Sequence, residues 1–129
     1  MADDDGVEMM RRFYDAFDTG DADVLRELLA DCTWHTPGES LIAGAFSGGD
    51  EIVTRFGRLR EMTDGTLTFH VHEILGDGRH MVGLDRVTAR RGDRTLDMNR
   101  VVIAHARDGK LVDVWLVPED QYAFDEFWS

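Results

Sequence analysis

The second half of the chain is a run of β-prone segments cut by three very short turns, and those turns leave few ways to fold it. Strands are expected at 67–75, 81–90, 95–106 and 111–117. Gly76-Asp77-Gly78, Gly92-Asp93 and Asp108-Gly109 separate them. Glycine and aspartate accept the backbone angles of tight hairpins, so each turn joins antiparallel neighbours and the four strands form a meander. The third strand is long. A long antiparallel strand usually bends through a bulge and curls its sheet.

The first half reads as helices. Val7, Met10, Tyr14 and Phe17 fall on one stripe, widened by Phe13, which predicts a helix over 7–17. Gly20 suits its exit and Asp21 can cap the next helix, which carries Ala22, Leu25, Leu28 and Leu29 inward. Thr33 to Thr36 reads as a short strand stopped by Pro37-Gly38. The segment 39–49 contains Leu41, Ile42 and Phe46, unusually apolar for a loop, and forms either a second short strand or a flap over the core. A third helix follows, with Asp50 as its expected N-cap and Ile52, Phe56, Leu59 and Met62 facing inward. The residues from Pro118 onward hold Tyr122, Phe124, Phe127 and Trp128, which either close one end of the molecule or pack across a dimer.

Three helices on one face of a curled antiparallel sheet make an α+β fold, a cone-shaped roll with a cavity at its open end. At 129 residues the chain is one domain, 1–129, large enough to bury a core without disulfides or a structural metal. The 26 acidic against 14 basic side chains give a net charge of −12, which repels phosphate backbones and anionic lipid, so neither nucleic acid nor membrane is an expected partner. No apolar run approaches the ~20 residues of a membrane span, and no signal peptide is legible at the N-terminus. Cys32 is the only cysteine and is expected to pack as a small hydrophobe. A cytoplasmic protein is the resulting expectation.

Several segments resemble the nuclear-transport-factor-two-like superfamily, in its SnoaL-like and ketosteroid-isomerase-like branch. They are Arg12-Phe13-Tyr14-Asp15-Ala16-Phe17 with Gly20-Asp21, Leu28-Leu29-Ala30-Asp31 followed by Trp34-His35-Thr36-Pro37-Gly38, and Asp108-Gly109-Lys110-Leu111-Val112-Asp113-Val114-Trp115. The resemblance covers nearly the whole chain. It implies a conical pocket between helices and sheet, and a homodimer through the outer face of the sheet. It implies no single activity, because the fold hosts isomerases, cyclases, hydrolases and binders.

The reactions of the resembled enzymes can be tested position by position. Ketosteroid isomerases carry a catalytic Asp before a Pro on the first strand, where this chain has Thr36, and a hydroxyl does not replace a carboxylate base. Their first-helix tyrosine aligns with Phe13, with Tyr14 one residue away, and their oxyanion Asp falls near Val101 or Val102. Limonene-epoxide-hydrolase relatives use an Asp-Arg-Asp set. Arg86 matches the Arg, but Thr88 and Leu116 or Val117 stand at the acids. Neither activity is expected.

A cyclase-like enzyme would need an acid/base group in the pocket, and His35 is the local candidate. Strand alternation puts it opposite Trp34, so a packing role is preferred. The reading that follows is a binding domain for a small apolar molecule, with no cofactor. Its expected pocket residues are Tyr14, Phe17, Trp34, Phe56, Leu59, Phe69, Arg86, Asn99 and Trp115. The alternative is a cofactor-free isomerase, cyclase-like or hydrolase enzyme with His35 or Tyr14 as acid/base and Arg86 as anchor. His70 and His72 share a strand face, but no third ligand is evident and no metal site is expected. Arg86 and Asn99 serve either in an outer-face ion pair or as polar pocket anchors. The answer turns on whether Asn99, Val101 and Ile103 or Met98, Arg100, Val102 and Ala104 face the helices.

Overall fold

The computed structural model describes residues 2–129. The elements run α1 (Ala2–Thr19), α2 (Ala22–Leu28), β1 (Thr33–Thr36), β2 (Gly44–Ser47), α3 (Gly49–Met62), β3 (Thr68–Gly76), β4 (His80–Arg91), β5 (Arg94–Arg107), β6 (Lys110–Pro118) and α4 (Gln121–Phe127). One six-stranded sheet has the order β2-β1-β6-β5-β4-β3, curled but not closed. The meander is as the turns predict. Arg107 and Lys110 pair across Asp108 (φ 54) and Gly109 (φ 77), both in the left-handed region that a two-residue hairpin needs. Bulges fall on β3 between Val71 and Glu73 and on β6 between Leu111 and Asp113, opposite His105 and Ala106 of β5, and both bend the sheet.

One pairing is not local. β1 lies parallel to β6, with Trp34 opposite Val114 and His35 opposite Trp115. That contact carries β1 and its antiparallel partner β2 onto the far edge of the meander.

The concave face is apolar and meets the helices. Met81, Val87 and Ala89 of β4, Leu96, Met98, Val102 and Ala104 of β5, and Val114 and Leu116 of β6 are buried. They form one core with Met10, Phe13 and Phe17 of α1, Leu25 and Leu28 of α2, and Ile52 and Phe56 of α3. Strand alternation therefore places Met98, Arg100, Val102 and Ala104 toward the helices, and Asn99 and Ile103 toward solvent.

Two local expectations need correction. Asp50 does not cap α3. Gly48 holds that position, and Asp50 lies one residue inside the helix. A side chain at Gly49 would run into the backbone of Arg26, so the helix starts earlier, against α2. Asp50 still favours the helix end by its charge and pairs with Arg26 at 3.3 Å. The C-terminal segment, for which the sequence gives aromatic closure of one end or packing across a dimer but no helix, is a short fourth helix. Asp120 caps it by accepting from the Ala123 amide at 3.0 Å, and Phe124, Phe127 and Trp128 turn inward. Arg91 and Arg94 donate to the Phe127 and Glu126 carbonyls, both at 3.1 Å, and bind the helix to the β4–β5 hairpin.

Gly83 sets how closely α1 approaches the sheet. A Cβ there would stand 2.7 Å from the Tyr14 hydroxyl and 3.3 Å from the Met10 methyl. Gly83→Ala should therefore cost about 1–3 kcal/mol by overpacking. Adding Tyr14→Phe should cost less in that background than in the wild type, because the clashing oxygen is gone. Urea unfolding of the four proteins checks this, and strictly additive costs would refute it.

Candidate functional site

Antiparallel pairing sets Asp85 of β4 directly opposite Arg100 of β5, on the concave face. Both are almost fully buried, at 1% and 4% exposure. Arg100 donates through Nε to Asp85 Oδ1 at 3.0 Å and through Nη2 to Oδ2 at 2.9 Å. The Tyr14 hydroxyl, arriving from α1, donates to the same Oδ2 at 2.7 Å. The guanidinium lies 4.2 Å from the centre of the Phe69 ring. A charged pair is tolerated in an apolar interior only when its geometry is good and further hydrogen bonds meet the carboxylate, and the forked Arg100 contact and Tyr14 supply both.

Burial pushes the Tyr14 phenol well above its ordinary value of 10.0, the Asp85 charge adds to the rise, and Arg100 opposes it. Tyr14 is thus a fixed donor to Asp85 at neutral pH. Cys32 is likewise buried, its thiol pushed up to about 12, first by desolvation and then by Asp113. It packs as an inert apolar group.

Arg100 also lines a cavity of about 100 Å³ between α3, the sheet and α4. Its walls are Trp34, Ile52, Phe56, Leu59, Met62, Leu67, Phe69, Val87, Leu116, Phe124 and Trp128. Leu41, Ile42 and Phe46, from the apolar segment after β1, complete it. Its polar lining is Arg55 and Arg58 of α3, Arg100 of β5, Thr36 and the Trp128 indole. Arg100 spends Nε and Nη2 on Asp85, leaving Nη1 outside the pair. Thr36 contributes a hydroxyl. Trp128 has its indole Nε1 buried with no hydrogen-bond partner among the described residues. An unmet buried donor ordinarily costs about 1–3 kcal/mol.

Four of the pocket residues expected from sequence, Trp34, Phe56, Leu59 and Phe69, do line this cavity. Tyr14 and Phe17 stand behind it in the core, Phe17 stacked on Phe69 at 4.4 Å. The remaining three lie elsewhere. Arg86 is on the convex face, half exposed, in a two-pronged pair with Asp97 at 2.7 and 2.6 Å, and that pair holds the Asp97 carboxyl below its usual range. Asn99 is exposed on the same face. Trp115 also faces outward, stacked on His35 at 4.9 Å and edge-on to His105 at 5.0 Å.

His35 therefore belongs to the outer surface, with Nε2 3.2 Å from Asp113 Oδ1. The reason is phase. β1 buries Trp34 and Thr36, so His35 between them turns away. Among the described residues no three His, Cys, Asp or Glu side chains gather as a metal site, and no helix is long and apolar enough to cross a membrane.

Sequence reasoning missed Arg100, Thr36 and Trp128 as cavity residues, although a signal for Arg100 was present. Leu96, Met98, Val102 and Ala104 form an apolar alternate set, and Arg100 is the one polar member in phase with it. On β4, Asp85 stands in the same way among Met81, Gly83, Val87 and Ala89.

This fold and pocket define a class, and the comparisons name it. Residues 10–114 match the SnoaL-like domain model, and the chain belongs to that family. An uncharacterised protein of Mycobacterium tuberculosis is 29% identical over 132 residues, covering 100% of both chains. The solved structure of Bal32a, from a soil-derived mobile gene cassette, is 36% identical with a TM-score of 0.94 over 100% of both chains. An NTF2-like protein of Burkholderia xenovorans, 20% identical, shares the fold with a TM-score of 0.84 over 98% of each chain.

Two consequences of the buried network can be measured. Asp85→Leu or Arg100→Leu alone strands one charge in the core and should cost about 3–5 kcal/mol. The double replacement should cost less than either, as urea unfolding would show. Additive costs would mean that the pair is not coupled. Because Tyr14 holds its proton more tightly when folded, the stability it contributes is complete below its ordinary value of 10.0 and is lost as pH rises beyond it. Tyr14→Phe should flatten that part of the alkaline unfolding profile.

Proposed function

We propose that this SnoaL-like protein is a small-molecule binder that takes one ring-sized apolar ligand into the cavity beneath α3 and α4. The observation that carries the reading is a hollow walled by aliphatic and aromatic side chains that retains a fixed arginine donor in its lining. Ligand sites typically combine such walls with a few placed polar groups. At about 100 Å³ the hollow is of the order of a single ring, since an engineered cavity of about 150 Å³ takes benzene.

The two groups considered for acid/base chemistry do not favour turnover. His35 is on the opposite face of the sheet, and the proton of Tyr14 is committed to Asp85. Pairing of two copies through the convex face belongs to the same proposal. It is supported by Leu75, Ile103 and Val117, which stand 55%, 37% and 46% exposed there.

Native mass spectrometry of freshly purified protein reports retained ligand and the number of associated copies together. In solution, toluene should quench the emission of Trp34 and Trp128, both of which line the cavity. Leu59→Trp, which fills the half-buried mouth, should abolish that response while circular dichroism stays unchanged. No bound mass and no toluene response from the wild type would reject the proposal.

A further inference from the structure

Charge is distributed unevenly between this cavity and the rest of the molecule. Acidic side chains outnumber basic ones by 26 to 14 along the chain. The charged side chains that line the cavity are Arg55, Arg58 and Arg100, with no carboxylate among them. Asp85 sits behind Arg100 with Oδ1 and Oδ2 both engaged. Arg55 lies over the Phe46 ring at 3.8 Å, and its acidic neighbour Glu51 is 3.6 Å away on the exposed side of α3. The uncharged polar groups add to the same bias. The Trp128 indole is a donor with no partner among the described residues, and the Thr36 hydroxyl donates as readily as it accepts. The cavity thus offers N–H and O–H donors and positive charge, and the weak Met62 thioether is the one side-chain group in its lining that only accepts.

We infer that the ligand is an anion, a carboxylate on a single-ring or short hydrocarbon body, with its acid group toward Arg100 and its body against Phe56, Phe69 and Leu116. This rests on the ligand-binding reading above and adds the class of molecule. Three arguments favour a charged acceptor over a neutral carbonyl. The guanidinium is held in place by Asp85 and Phe69, so little rearrangement opposes docking. In apolar surroundings the attraction of a fixed cation for an anion exceeds its attraction for a dipole. Asp85 offsets Arg100 and Glu51 stands 3.6 Å from Arg55, so an entering anion would still meet net positive charge, from Arg58.

Benzoate, the uncharged benzamide of nearly the same shape, and toluene make the test, titrated by tryptophan emission and calorimetry on the full chain. Benzoate should bind at least ten-fold more tightly than benzamide. Arg55→Gln/Arg58→Gln, at positions that are not part of the core, should reduce that preference several-fold. Asp85→Leu/Arg100→Met, which leaves no lone buried charge, should abolish it while toluene still binds. Benzamide binding as tightly as benzoate, toluene binding without benzoate, or a preference surviving both double variants would overturn the inference and leave the apolar-binder reading intact. Failure of all three compounds would instead remove that reading.

Discussion

A carboxylate and a guanidinium buried side by side on a β-sheet hold this structure in register. Asp85 and Arg100 face each other across β4 and β5, and a slip of one residue would send both to the convex face and bring Arg86 or Asn99 inward. Tyr14 extends the constraint to α1, and Gly83 leaves room for its hydroxyl. The network therefore fixes strand phase, helix position and the orientation of one pocket donor together. An apolar pair could fill the same space. It would not present a charged donor to a dry cavity.

The cavity follows from curvature and incomplete filling. Bulges on β3 and β6 bend the meander, α1 fills the deep end with Met10, Phe13 and Phe17, and α3 covers the shallow end with Ile52 and Phe56 and the half-buried Leu59 and Met62. The C-terminal helix then lays Phe124 and Trp128 across the remaining gap. Thr36, where the resemblance to ketosteroid isomerases would place a catalytic acid, lines the cavity, and so does Leu116, one of the two positions matched with Val117 to an epoxide-hydrolase acid. The architecture thus carries a hydroxyl and an aliphatic side chain at those two places. That is consistent with a fold whose function is set by side chains and not by topology.

Much of this was legible in advance, and the misses have physical causes. The helix stripes, the β-turn residues and the strand runs are local signals, and they located the first three helices and the meander. The parallel β1–β6 contact is not local, since Trp34 and Val114 are far apart in sequence and nothing in either segment names its partner. The fourth helix was readable from Asp120 and the spacing of Phe124, Phe127 and Trp128, but its few residues give a weak periodic signal beside their aromatic content. For Arg86 the sequence leaves open an outer-face ion pair or a pocket anchor, and the apolar alternation around Asp85 and Arg100 points to the first.

By itself, the sequence determined the α+β class, the antiparallel meander and the aromatic core, because each depends on periodicity or turn chemistry within short windows. Tertiary structure alone decided which arginine is buried, that Tyr14 serves Asp85, and that His35 and Trp115 face outward. Those outcomes depend on strand phase and on contacts between residues far apart in the chain. A shift of one position reverses them without altering composition or pattern.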